Sequence, residues 1–340
     1  MNEFELIARY FAPLARSAPG AYGLLDDAAV VSPSSGHEFV VKTDTIVAGV
    51  DFPPDAAPDL IARKALRVNL SDLAAKGARP HAYLLDLILP PSIDETWIAA
   101  FAAGLAADQT EYGVALIGGD MSSTSGPVVI AVSVLGEAPI GRIIRRGGAQ
   151  AGDLIFVTGT IGDAALGLRV LQGGLAGLDD ASAAYLLDRY RLPQPRVSLG
   201  PALLDVATSS IDVSDGLIAD LHHLCSVSRF DARVAARTVP LSAAARKAIG
   251  GSPEGLAAAL TGGDDYELLF TAPPTASERL DALSRAAGVP LTRIGRMEAP
   301  ADPKNPRVIA LDEQDRPMEF GSEGWKHWRS GRDSNPRPPA

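Results

Sequence analysis

Cysteine is almost missing from this chain of 340 residues: Cys225 stands alone. That excludes an intrachain disulfide and any thiolate metal knuckle, and it fits a reducing compartment. No apolar run approaches the roughly 18 residues that a membrane span needs. The N-terminus, MNEFELIARYFAPL, also lacks the basic-then-apolar pattern of a signal peptide. Positive charge is short as well, with 31 Lys and Arg against 41 Asp and Glu and a net charge of −10. Nucleic acid is bound by clustered Lys and Arg, so it is not an expected partner. The familiar nucleotide and metal signatures are absent too: no GxxxxGK[ST], no GxGxxG opening a helix, no protein-kinase HRD or DFG, no HExxH and no EF-hand loop. The expectation is a cytoplasmic protein with neither a membrane nor a nucleic acid as partner.

What is present is ordinary globular material, 46% hydrophobic and 21% charged. The length calls for two domains. The composition breaks at Gly141 to Gly152, GRIIRRGGAQAG, so the expected domains are 1–140 and 141–328. The polar, Pro/Arg-rich residues 329–340 are expected to be a disordered tail.

An amphipathic helix is expected at the start, with Phe4, Ile7, Phe11 and Leu14 on one face. Strands are expected at Glu38 to Val50, Ala82 to Leu89, Val114 to Ile117 and Val128 to Leu135. Helices are expected through the stretch before Gly77 and from Trp97 to Tyr112. The second half reads as a strand at Asp153 to Thr158, a glycine-spaced helix at Gly159 to Gly173 and a helix at Ala183 to Tyr190. It continues with a strand at Ser210 to Val213, a helix at Gly216 to Cys225 that Ser214 or Asp215 could cap, and a glycine turn running into a strand up to Phe270. Strands and helices mix without repeated short crossovers, so the expected class is α+β.

The stretch VNLSDLAAKGARP, Val68 to Pro80, puts one carboxylate, Asp72, into a helix whose Leu66, Leu70, Leu73 and Ala74 recur at apolar spacing. An exposed i,i+4 pair with Lys76 would explain it, at about 0.2–0.5 kcal/mol. Other acids, however, recur beside glycines, at strand ends and at helix starts: Asp27, Asp44, Asp120, Asp212, Asp215, Asp264 and Asp265. Singly, each has a structural explanation as a cap, a turn former or an edge charge. Together they suggest Mg²⁺, which is commonly held by a few carboxylates, phosphate oxygens and water. An acidic site for phosphate chemistry must be metal-dependent, because only a bound cation reverses the local repulsion.

The ordered segments DDAAV, KTDTIVAGVDF, KALRVNLSDLAAKGARP, GVALIGGD, GRIIRRGGAQAGD, IDVSDGLIADLHHL and LTGGDDYELLFT resemble the thiamine-monophosphate kinase family. That family is part of the superfamily that includes aminoimidazole ribonucleotide synthetase. The resemblance runs from about Glu3 to Trp328. It implies a two-domain α+β fold, with an N-terminal mixed β-sheet and helices forming the interface of a homodimer and a C-terminal α/β sandwich. It implies ATP-dependent phosphorylation of thiamine monophosphate to thiamine diphosphate with several Mg²⁺ ions. It puts metal ligands at Asp27, Thr43, Asp44, Asp72, Asp120, Asp212 and Asp215, and nucleotide contacts at Gly119, Asp120, Arg146, Ser214 and Tyr112. Substrate contacts fall at Asp51, Asp264 and Trp325, and catalysis is expected to rest on Asp72, Asp120, Asp212 and Arg146, with Arg145 beside it. The chain departs from the family at Lys42, where Ser often precedes TDT, and at Asp51, where His is usual. Sister activities in the superfamily would want a reactive N-terminal or C-terminal Cys, which Cys225 is not. A non-catalytic module that kept the scaffold would have lost several of these aspartates.

Overall fold

The computed structural model describes residues 2–175, 177–321 and 324. The residues 329–340 expected to be a tail, and Trp325, lie outside them. The described residues form two compact units. One is the chain up to Leu73 with Ala78–Arg142; the other is Ala74–Gly77 with the chain from Ile143 onward.

The first unit begins with a helix that does not continue as its apolar spacing suggests. Helix α1 (Glu3–Leu6) is capped by Asn2 and Glu5 in a reciprocal box, then widens to a π turn at Ile7–Phe11 and tightens to a 3-10 turn at Ala12–Ala15. Pro13 lacks an N–H, and its ring crowds the carbonyl four residues before it, which accounts for the change of pitch. Phe4 is therefore left 79% exposed, while Phe11 and Leu14 are buried.

Next come β1 (His37–Val47), α2 (Pro58–Ala75), β2 (Arg79–Leu89), α3 (Glu95–Tyr112), β3 (Ala115–Ser123) and β4 (Val129–Pro139). The strands lie in the order β1-β4-β2-β3, antiparallel except for the parallel β2–β3 pair. Helix α2 is buried almost all round, including Leu66, Leu70, Leu73 and Ala74, and Leu73 packs against Gly136 of β4. Gly104 of α3 passes close to the Asp59 backbone at the start of α2. Both oxygens of buried Asp108 accept from Arg67, at 2.7 and 2.8 Å, and Arg63 adds a third bond at 2.8 Å. The helix pair is thus locked by paired charges, which such burial requires.

The second unit holds β5 (Leu154–Thr158), α4 (Asp163–Leu171), α5 (Asp180–Arg191), β6 (Ser209–Asp212), α6 (Leu217–Ser228) and β7 (Asp231–Ala235). It continues with α7 (Ala243–Ile249), α8 (Pro253–Thr261), β8 (Leu268–Ala272), α9 (Ser277–Ala287), β9 (Leu291–Glu298) and β10 (Val308–Leu311). Its sheet runs β10-β7-β9-β5-β8-β6, antiparallel except for β10–β7. Strands β5, β6 and β8 are buried along their whole length. Accordingly β5 (LIFVT) and β8 (LLFTA) read as nearly continuous apolar runs rather than as alternation, while β6 (SSID) buries polar residues. The α+β expectation holds in both units. Among the described residues no helix is long and apolar enough to cross a membrane.

Candidate active site

Strand β1 alternates, and its even-numbered residues face α2. The Lys42 ammonium lies 3.1 Å from Asp44 Oδ1 on the same strand and 2.9 Å from Asp72 Oδ2 on α2. Burial works against its charge, but the Asp72 and Asp44 carboxylates outweigh that and hold its pKa above the ordinary lysine value. The partner of Asp72 is therefore Lys42. Lys76, the i,i+4 candidate, donates to the Ser210 carbonyl at 2.7 Å within the second unit.

Residues paired across neighbouring strands point to the same face of a sheet. Asp44 pairs with Val132, Val132 with Leu85 and Leu85 with Gly119; Thr45 pairs with Ala131, Ala131 with Asp86 and Asp86 with Asp120. Asp44 therefore points toward α2 and Asp120 points to the opposite, open face. Thr43 is on that open face too: it accepts from Ser133 Oγ at 2.9 Å and donates to the Val132 carbonyl at 3.2 Å. The N-terminal segment arches over the β2–β3 half of the open face, leaving a cavity of about 700 Å³ lined by Asp26, Asp27, Asp86, Gly119 and Asp120.

Asp86 is a residue that the sequence reading missed. It interrupts the apolar strand YLLDLIL as Asp44 interrupts its own strand, which is the signal that could have found it. Gly119 has a structural reason of its own: a Cβ there would lie 1.8 Å from the Leu85 carbonyl oxygen across the β2–β3 pair. Tyr112 ends α3, with the Arg67 guanidinium 5.2 Å over its ring, and burial pushes its hydroxyl's pKa up. Asp51 Oδ2 accepts from the Val47 N–H at 2.9 Å and so pins the turn that follows β1.

In the second unit Asp212 ends β6, and the loop Val213–Gly216 leads into α6. Neither Ser214 nor Asp215 caps that helix. Gly216 occupies the cap position at φ 119° and has no side chain to offer, a conformation that disfavours side-chain-bearing residues. The task falls to Asp220, one turn inside the helix. Its Oδ2 accepts from the backbone N–H groups of Ser214, Asp215 and Gly216 at 3.0, 3.0 and 3.2 Å. Burial pushes the Asp220 carboxyl well above the usual carboxylate range; the Asp215 and Asp212 charges add to this, and the donated N–H groups oppose it. Sequence spacing could not single out Asp220, because the bonds depend on the loop folding back over the helix.

The glycine turn before β8 packs against the same loop. Asp264 N–H donates to the Ser214 carbonyl at 2.8 Å and Tyr266 N–H to the Val213 carbonyl at 2.9 Å. Tyr266 OH bonds Asp264 Oδ1 at 3.2 Å. Asp265 turns inward and accepts from Gly162 N–H at 2.7 Å and Ala164 N–H at 3.3 Å, and burial pushes its carboxyl up. Glu267 is buried between Arg189, Arg196 and Thr158. Of the three acids in GDDYE, then, Asp264 is the one not turned into the core. Arg145 and Arg146 are exposed on a loop tied to β6, since Ser210 N–H donates to the Arg145 carbonyl at 3.0 Å.

The donor chemistry fits Mg²⁺. Two carboxylates, from Asp44 and Asp72, already converge on one cationic centre, the Lys42 ammonium. Among the described residues no three His, Cys, Asp or Glu side chains converge closely enough to hold a metal by themselves. Mg²⁺ characteristically takes one or two carboxylates and completes its shell with water and substrate phosphates, so pairs rather than cages are the form expected of it.

Residues 25–138 match the family model described as AIR synthase related protein, N-terminal domain, and residues 150–304 match its C-terminal domain. The chain is 42% identical over 328 residues to a thiamine-monophosphate kinase of Salmonella typhimurium, covering 96% of this chain and 98% of that one. It is 44% identical over 300 residues to one of Escherichia coli, covering 88% and 91%. Among solved structures, thiamine-monophosphate kinase from Stenotrophomonas maltophilia superposes with a TM-score of 0.79 at 40% identity, covering 88% of this chain and 96% of that one. A structure described as AaThiL complexed with AMPPCP and TMP gives 0.75 at 28%, covering 96% and 99%. Hydrogenase maturation protein HypE in complex with ATP shares the fold, at 0.76 and 19% identity over 94% of both chains.

Proposed function

The chain belongs to the AIR synthase related family and, within it, to the thiamine-monophosphate kinases, and from that premise we propose that it transfers the γ-phosphoryl group of ATP to thiamine monophosphate with Mg²⁺ held by its aspartates. The products are ADP and thiamine diphosphate. The bond from the γ-phosphorus to the β,γ-bridging oxygen breaks, and one to a phosphate oxygen of the acceptor forms. The observation that carries this reading is the end-to-end likeness to curated thiamine-monophosphate kinases.

The acceptor is a phosphate monoester whose second pKa is about 6, so it arrives ionised and needs no strong base. The task left to the protein is to align two anions and offset their repulsion. Mg²⁺, when bound, supplies that neutralising charge. In the first unit Asp27, Thr43, Asp44, Asp72 and Asp120 are assigned to it, and in the second Asp212 and Asp215. Asp220 acts on Ser214 and Asp215 by fixing their backbone, and is thus a positioning residue. Arg146 is assigned to the nucleotide phosphates, a charge-assisted contact suited to guanidinium, with Gly119, Asp120, Ser214 and Tyr112 as further nucleotide contacts. Asp51 and Asp264 are assigned to the thiamine side, where an acid can face the thiazolium cation. Trp325, the third substrate residue, lies outside the described residues.

The working form is proposed to be a homodimer that buries the β1 side of the open face of the first sheet, beside the cavity rather than over it, a reading supported by Val41 at 68% exposure. The cytoplasm is proposed as its compartment, on the strength of a single, buried cysteine whose thiol burial pushes up to about 12. The test of the function is direct. Purified protein with ATP, Mg²⁺ and thiamine monophosphate should yield thiamine diphosphate by chromatography, and EDTA should abolish the product until Mg²⁺ is restored. No product with ATP and metal in excess overturns the reading.

A further inference from the structure

Lys42 stands where two carboxylates of the proposed metal-binding set converge. Asp44 sits two residues along β1 from Lys42, on the same face of the strand, and Asp72 sits on the helix that covers this face. An ammonium nitrogen about 3 Å from one oxygen of each carboxylate fills the gap between them. A magnesium ion in that gap would sit about 2 Å from each oxygen. The two cations cannot share it. Lys42 is held there by both acids at once, and the pair plus the ammonium retains one net negative charge. Water still reaches the group, since the Lys42 side chain is 32% and the Asp72 side chain 15% exposed, so access by an ion from solvent is not what limits occupancy.

We propose that the Lys42 ammonium is a tethered cation that holds the position between Asp44 and Asp72 in place of a divalent ion, so that this chain binds one divalent cation fewer than its carboxylates alone would take. The inference rests on the assignment of Asp44 and Asp72 to metal binding. Asp44 and Asp72 keep their assignment to Mg²⁺ alongside Lys42, which takes one of the positions they would otherwise offer it. The tethered charge has a chemical consequence. It cannot dissociate with the nucleotide, so part of the neutralisation at this corner is permanent rather than brought in with each substrate.

The probe is Mn²⁺ alone, without nucleotide, counted from the free-ion electron paramagnetic resonance signal during titration of the full chain. Lys42→Met, which keeps the length of the stem and removes the charge, should bind one more Mn²⁺ per chain than the unsubstituted protein. Adding Asp72→Asn to Lys42→Met should abolish that additional ion. Should Lys42→Met fail to fold, Lys42→Ala carries the same expectation, because it removes both the charge and the group that fills the gap between the two carboxylates. An unchanged count in the folded variant overturns the proposal, as does an additional ion that survives Asp72→Asn. The count is independent of turnover, so failure of the kinase reading would appear in the product assay and failure of this inference in the titration.

Discussion

Asp72 is the acid whose role depends most on its neighbours. In the helix alone it is a polar interruption of an apolar repeat; in the folded unit its carboxylate is drawn to the Lys42 ammonium, on the side that faces β1. Asp72→Asn keeps the shape and an acceptor for Lys42 but loses the charge. Turnover should fall by roughly 100-fold or more, because cation-borne neutralisation contributes several kcal/mol to such transfers. The partly exposed pair itself contributes about 1 kcal/mol or less, so the melting midpoint should move by no more than about 2–4 °C. A folded, fully active Asp72→Asn protein would make the residue structural. Asp220 shows the reverse balance. Asp220→Leu leaves three backbone N–H groups without their acceptor, at about 1–3 kcal/mol each when buried, so urea unfolding should show a loss of about 3 kcal/mol or more. Asp220→Asn retains one oxygen acceptor and should lose less than half of that. Equal stability of all three proteins would mean that the loop is not held by this carboxylate.

At the scale of elements, apolar period and stop signals located the strands and helices of the first unit and those of the second up to α6, with β8, because each depends on residues close in sequence; β7, α7, α8, α9, β9 and β10 carried no expectation. Helix α2 ends at Ala75, and Gly77 follows at φ 75° where a Cβ would meet Leu204. The N-terminal helix was misjudged because one proline outweighs a sound apolar repeat. Strand β4 adds an element-level device that spacing does not reveal. Its Glu137, 3% exposed, accepts from Ser34 N–H, Ser34 Oγ and Arg79, each at 2.9 Å. Burial works against the Glu137 charge, but these donors outweigh it and hold the carboxyl below the ordinary glutamate value of 4.5. A depressed folded-state pKa contributes stability that is present above the unfolded value and lost as the pH falls through the folded one. Glu137→Gln should therefore cost about 1–3 kcal/mol at neutral pH, with the difference from the unsubstituted protein closing as the pH drops below 4.5. A difference that stayed constant from neutral to acid pH would exclude the charge as the cause.

For the whole molecule, the order of motifs through both halves was legible, and with it the family. The faces were not. Asp44 and Asp120 looked like members of one cluster, but the register of four strands sends one toward α2 and the other to the open face. That open face is also where the quaternary proposal meets experiment. Light scattering after gel filtration should give the mass of a dimer for the unsubstituted chain, while Val41→Lys, which would put a charge into the proposed apolar interface, should give the monomer. A monomer in both cases sinks the homodimer reading.

Residue types and their local spacing determined by themselves that this chain is a two-part α+β protein rich in acids suited to magnesium, because period, turn chemistry and donor hardness are properties of short stretches. Tertiary structure alone decided that Lys42 bridges Asp44 and Asp72, that Asp86 joins Asp27 and Asp120 in one cavity, and that Asp220 rather than Ser214 or Asp215 holds the loop before α6. The first and third depend on which segments are brought within about 3 Å, the distance at which hydrogen bonds and ion pairs form; the second depends on the face of the sheet to which the strand register assigns each acid.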